Sequence, residues 1–142
     1  MRADPYATRV PDGQYRVAFD RCEEGSAYGG PRWFVWFRIT EPGPSAGLPI
    51  LRFYNVPKRP WLPRTHNLAL DYMALIERRT PSRLVPKDFL KGCEVLAAVV
   101  TVKQQMQGKK RVELPEDCWY SKIDRLIRIT AGSPPCLGTR AR

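Results

Sequence analysis

The sequence predicts a mainly β chain with one helix, in the order β-β-β-α-β-β, its five strands closing into a barrel. Three observations carry this expectation. Several short runs alternate apolar and polar residues with a period of two. Only one stretch, residues 66–79, spaces its apolar residues as a helix does. The prolines and glycines fall between these runs and punctuate them.

Residues 1–11 hold Pro5 and Pro11 and little periodicity, and are expected to form a flexible arm. After a turn at Asp12-Gly13, Tyr15, Val17 and Phe19 alternate with Arg16, Ala18 and Asp20, the pattern of a half-buried strand. "SAYGGP" turns the chain into "PRWFVWFRI", residues 31–39. As a strand this run puts Trp33, Val35, Phe37 and Ile39 on one face and Phe34, Trp36 and Arg38 on the other. "EPGPSAG" breaks the chain again, and "LPILRFYNVP" supplies a third strand with Arg52 and Tyr54 sharing a face.

"KRPWLPRT" carries two prolines, with Pro57 just before it, and excludes a regular element. Thr65 is placed to cap a helix of about four turns, whose apolar face holds Leu68, Tyr72, Leu75 and Ile76. Residues 81–92 read as a loop with room for one short turn. "CEVLAAVVTVKQQ" is β-branched and apolar on both faces, a buried strand. "MQGKKR" is a basic turn, and residues 111–129 return, with Ile123, Ile127 and Ile129 around Arg125 as a strand or a short helix and strand. The tail 131–142 reads as disordered, leaving 12–130 as the domain. Three strands, a helix and a closing pair of strands is the chain order of a five-stranded OB-type barrel. A β-sandwich, or a sheet with one packed helix, is the competing layout.

The chain has 142 residues, enough to bury one core without staples. Its 24 Lys and Arg against 14 Asp and Glu leave a net charge of +10. Such a balance suits an anionic partner, nucleic acid foremost, although a basic surface can also serve solubility alone. The four cysteines, Cys22, Cys93, Cys118 and Cys136, lie far apart without the paired spacing of a zinc site, so free thiols and no metal are expected. No apolar run reaches membrane-spanning length, and a cytoplasmic protein is expected. His66 is the only histidine, no serine or cysteine is spaced to pair with it, and no phosphate-cradling glycine motif occurs. A non-enzymatic protein without cofactor is the reading that follows, with a metal-dependent nuclease built on the scattered acids as the enzyme rival.

Rings and cations then carry the function. Phe34, Trp36 and Arg38, with Arg52 and Tyr54 on the next strand, are expected to present one aromatic and basic face. Lys58, Arg59, Trp61 and Arg64 extend it from the proline-rich loop, and Lys103, Lys109, Lys110 and Arg111 from the late turn. Single-stranded nucleic acid needs flat rings on which bases stack and cations that track its phosphates. The ordinary alternative is that a loop or helix covers this face and the rings are core.

"WFVWFRI", "FYNVP", "CEVLAAVVTV" and "WYSKIDRLI" together resemble the OB-fold proteins that bind single-stranded DNA, of the small type carried by bacterial plasmids, phages and conjugative elements. The resemblance spans about residues 12–130. It implies handling of single-stranded intermediates in replication, transfer or recombination, with Trp36, Arg38, Arg52, Tyr54, Lys109 and Lys110 as binding positions. The chain departs from the housekeeping members in ending "GTRAR" rather than in an acidic tail. RNA as the ligand, duplex ends or structured DNA, a protein-binding adaptor or inhibitor that uses the same patch, and a homo-oligomer all stay open.

Overall fold

A computed structural model describes residues 8–27 and 30–134. The chain is mainly β, with strands β1 (Gly13–Ala27), β2 (Gly30–Ile39), β3 (Pro49–Asn55), β4 (Glu94–Val102), β5 (Gln104–Gln107), β6 (Lys110–Glu113) and β7 (Tyr120–Ala131). Helix α1 (Asn67–Ile76) follows β3 and a single turn, α2 (Lys87–Leu90), precedes β4. The α2 turn falls in the loop 81–92, where the sequence leaves room for one short turn. Five strands form one antiparallel sheet in the order β3-β2-β1-β4-β7, and β5 and β6 make a separate hairpin around the expected basic turn, taking the end of the expected strand 93–105 and the start of the return.

Register decides which side chains meet. On β2, Trp33, Val35, Phe37 and Ile39 enter the core as the alternation predicts. Phe37 pairs with Ile50, Val35 with Arg52 and Trp33 with Tyr54 on β3. Cross-strand partners share a face, so Arg52 and Tyr54 point inward with the core set, opposite to Phe34 and Trp36. This corrects the expectation of one shared aromatic and basic face. Helix α1 covers the interior with Leu68, Ala69, Tyr72, Leu75 and Ile76, and Tyr72 meets Phe89 of α2 edge to face at 5.3 Å.

Inward placement of an arginine is tolerated because helix α1 supplies its countercharge. Arg52 is 7% exposed, Asp71 4% and Tyr54 1%. Arg52 donates Nε and Nη2 to Asp71 Oδ2 at 3.1 and 2.9 Å, and the Tyr54 hydroxyl donates to the same oxygen. Arg52 Nη1 donates to the Asp124 carbonyl of β7 at 2.6 Å, while Asp71 Oδ1 accepts from Leu126 N. Burial works against the Arg52 charge, but Tyr54 and Asp71 more than offset it and raise its pKa. Burial, with Asp71 beside it, pushes the Tyr54 hydroxyl well above its ordinary value and keeps it a donor.

These bonds span the two edges that backbone pairing leaves open, β3 and β7. Thr8–Val10 spans them too. Ser121 N donates to the Thr8 carbonyl at 2.7 Å, Val10 N to Ser121 Oγ at 2.9 Å, and Thr8 Oγ1 to the Pro49 carbonyl at 2.9 Å. The end of the supposed free arm is therefore buried and bonded; residues 1–7 lie outside the described part, as do 135–142 of the expected tail.

Strand β7 departs from a simple alternation. Against β4, Ile123 pairs with Val99, Arg125 with Ala98, Leu126 with Ala97, Arg128 with Leu96 and Ile129 with Val95. Asp124, Ile127 and Thr130 are extra residues at three register shifts, or bulges. Leu126, not Ile127, consequently joins Ile123 in the core. The bulge at Asp124 takes its carbonyl out of the β4 ladder and leaves it for Arg52.

Helix α1 is shorter than expected and starts at His66, not Thr65. His66 Nδ1 accepts from Leu68 N at 3.1 Å and Nε2 lies 2.6 Å from the Asn55 carbonyl, which fixes the tautomer with hydrogen on Nε2. Glu77, in the left-handed region at φ 58, ends the helix.

Arg52→Ala should cost about 3–5 kcal/mol in urea unfolding, because it strands a buried carboxylate. Replacing Arg52 and Asp71 together by Met and Leu should cost less than the sum of the single changes. His66, partly desolvated, has a lowered pKa. Its contribution is complete above its unfolded value of about 6.5 and is lost as pH falls through the lower folded value. Stability followed by thermal melts should fall on acidification below about pH 6.5, and His66→Asn, which keeps a capping acceptor, should remove that dependence.

Candidate nucleic-acid interface

The outward side of β2 and β3 pairs Trp36 with Leu51 and Phe34 with Phe53. It is not an open platform. Trp36 is 9% exposed and Leu51 2%. The Arg21 guanidinium lies 4.9 Å from the Trp36 ring centre, held by Glu23 at 2.7 Å and Asp20 at 3.0 Å. Phe34 meets Phe53 edge to face at 5.2 Å and lies over Gly25, where a Cβ would come within 2.7 Å of the ring. Phe34 is left half-buried and Arg38 exposed, with Arg38 Nη1 donating to the Gly47 carbonyl. Of the five sheet residues expected to bind, Arg52 and Tyr54 are interior, Trp36 is covered, and Phe34 and Arg38 reach solvent.

The loop residues have a different setting. Trp61 is 49% exposed, and the Arg59 guanidinium stacks 5.4 Å from its ring centre. Prolines 57, 60 and 63 fix this loop, and Leu62 N donates to the Ser82 carbonyl at 2.7 Å. That bond zips residues 57–64 to a second proline-bounded stretch, 78–86. Grooves flank the zipped pair. One, of about 390 Å³, is lined by Trp33, Val56, Arg59, Trp61, Arg83 and Val85 among others. The other, of about 640 Å³, is lined by Leu62, Arg64, Met73, Arg79, Thr80 and Ser82.

Arg59 lies over the half-exposed indole and Arg83 lines the same groove; Lys58, Arg64, Arg78 and Arg79 belong to the same two stretches, and all six cations are exposed. None forms an ion pair among the described residues. Sequence reading missed Arg78, Arg79 and Arg83. The signal was there, since "RRTPSRLVP" repeats the basic, proline-bounded character of "PKRPWLPR".

Lys103, Lys109, Lys110 and Arg111 belong to the β5–β6 hairpin and are exposed. Gly108, at φ 63, makes its two-residue turn. At the hairpin base Trp119, also missed, donates Nε1 to the Leu114 carbonyl at 3.0 Å. Lys103 and Arg9 sit 4.7 and 5.4 Å from its ring centre. The hairpin follows the Val102 end of β4, beyond the Gly13 end of β1. The Trp61 loop follows the Asn55 end of β3, so the two basic features flank opposite ends of the sheet.

Cys22, Cys93 and Cys118 are free thiols, and burial pushes the Cys22 thiol up to about 11. Among the described residues no three His, Cys, Asp or Glu side chains gather as a metal site would require, and no helix is long and apolar enough to cross a membrane. The chain matches no family model, no curated protein and no solved structure.

Burial separates the tryptophans experimentally. Trp36→Ala should lower stability by about 3 kcal/mol, comparable with Phe37→Ala at about 3–5 kcal/mol. Trp61→Ala should stay within about 0.5 kcal/mol, as surface changes do. Urea unfolding of the three variants checks the order.

Proposed function

We propose that the five-stranded sheet is an OB-type barrel and that the chain binds single-stranded DNA, without catalysis and with little sequence preference. Support for the barrel comes from the strand order, from α1 lying between β3 and β4, and from the Arg52 and Thr8–Val10 links between the edge strands. The observation that carries the binding reading is Trp61, half exposed beneath Arg59 on a pair of loops whose six exposed cations form no ion pair among the described residues.

An indole offers every base the same stacking surface, which gives affinity without a sequence code. Lys58, Arg59, Arg64, Arg78, Arg79 and Arg83 would take the phosphates on either side, and the hairpin cations would hold the strand farther along. Phe34 and Arg38 are the sheet residues open to it. The resemblance noted above is the ground for reading this activity as the handling of single-stranded intermediates in mobile-element replication, transfer or recombination.

Fluorescence anisotropy of a labelled oligo-dT across a salt series tests the reading. Binding should weaken steeply with salt, and Trp61→Ala should weaken it by about 1–3 kcal/mol. Absence of binding at low salt, or binding indifferent to both salt and Trp61, overturns it. Competition with oligo-U and with hairpin DNA ranks RNA and structured DNA against the single strand.

A further inference from the structure

The outer side of β7 carries a cationic feature outside the loops and the hairpin. Lys122, Arg125 and Arg128 are three residues apart, a spacing that in a regular strand would send Arg125 to the opposite face. The extra residues Asp124 and Ile127 correct the phase. All three cations then oppose the outward residues of β4, Lys122 against Val100, Arg125 against Ala98 and Arg128 against Leu96. The inward partners on β4 are Val95, Ala97 and Val99, all in the core. Successive cations thus stand about 6.6 Å apart along the sheet, two strand rises, a separation that an extended polynucleotide can follow phosphate by phosphate.

Arg125 and Arg128 are exposed and Lys122 is half-buried. None forms an ion pair among the described residues. The same side of the sheet shows what neutralisation looks like: Arg16, opposite Leu96 on β1, is held by Glu41 at 3.1 Å. Like charges on neighbouring positions repel, so an unneutralised row favours an anionic occupant. At its Lys122 end the row opens into a groove of about 560 Å³ beneath the hairpin, lined by Val100, Lys103, Gln105, Arg111, Lys122 and Asp124 among others. Asp124 is the one carboxylate there. The outward β4 residues beside the cations, Leu96, Ala98 and Val100, offer no ring on which a base could stack.

We propose that Lys122, Arg125 and Arg128, continued by Lys103 and Arg111, form a phosphate track that holds the backbone of a single strand too long for the Trp61 loops alone. The inference rests on the nucleic-acid reading above. It assigns the two regions different chemistry: bases and phosphates at the loops, phosphates only along β7.

The test uses the full chain and two labelled probes of about 30 nucleotides, longer than the roughly 4–16 that one OB fold covers. One is oligo-dT and the other a phosphodiester of abasic residues. In the triple variant Lys122→Gln, Arg125→Gln, Arg128→Gln the slope of log affinity against log salt should flatten by about 2 for both probes, at about 0.7 per lost contact. Trp61→Ala should weaken oligo-dT and leave the abasic strand within about twofold. Should the triple variant misfold by circular dichroism, Arg125→Gln alone should flatten the slope by about 0.7. Wild-type binding with an unchanged slope in these variants overturns the track alone. No wild-type binding of either probe overturns the nucleic-acid reading and the track with it.

Discussion

The buried ion pair between Arg52 and Asp71 is the interaction on which the rest of the arrangement depends. It joins β3 to α1, and through the carbonyl of Asp124 and the amide of Leu126 it joins both to β7. Desolvating two charges is costly, and their attraction offsets that cost only where hydrogen bonds occupy the remaining donors and acceptors. Here Tyr54 and the β7 backbone do so, and no buried side-chain nitrogen or oxygen lacks a partner among the described residues. An apolar contact could hold these three elements together equally well, but it would not fix their mutual register. The directional bonds of a guanidinium do.

That buried link sets the division of labour among the rings. With Arg52 and Tyr54 drawn inward, the outer side of β2 and β3 keeps Phe34, Trp36, Leu51 and Phe53, and these pack on each other and under Arg21. Sheet rings serve stability on both faces. What reaches solvent is displaced to the loops, where proline fixes Trp61 without burying it, and to strand positions that bulges turn outward. The loop and β7 cations form no ion pair among the described residues, while Arg16 and Arg21 on β1 are neutralised locally by Glu41, Asp20 and Glu23.

The parts legible in the sequence were those decided locally. Alternation gave the inward set of β2 correctly because that strand is regular over the run, and the helix was visible through Leu68, Tyr72, Leu75 and Ile76. Misplacement began where a distant partner decides. Arg52 reads as a surface residue until Asp71, nineteen positions away, supplies its charge, and the face of Tyr54 follows from its pairing with Trp33. On β7 bulges replace the period of two, so the run of Ile123, Ile127 and Ile129 around Arg125 does not show that Lys122, Arg125 and Arg128 share a face. The loop cations were half legible: Lys58, Arg59 and Trp61 were found by composition, whereas Arg78, Arg79 and Arg83 join them only through the Leu62–Ser82 bond.

The most direct measurement is a titration of the isotopically labelled chain with oligo-dT, followed at the four tryptophan indole N–H signals. The account predicts that the Trp61 signal shifts progressively and saturates while Trp33 and Trp36 stay in place. Shifts centred on Trp33 or Trp36, with Trp61 unmoved, would contradict it.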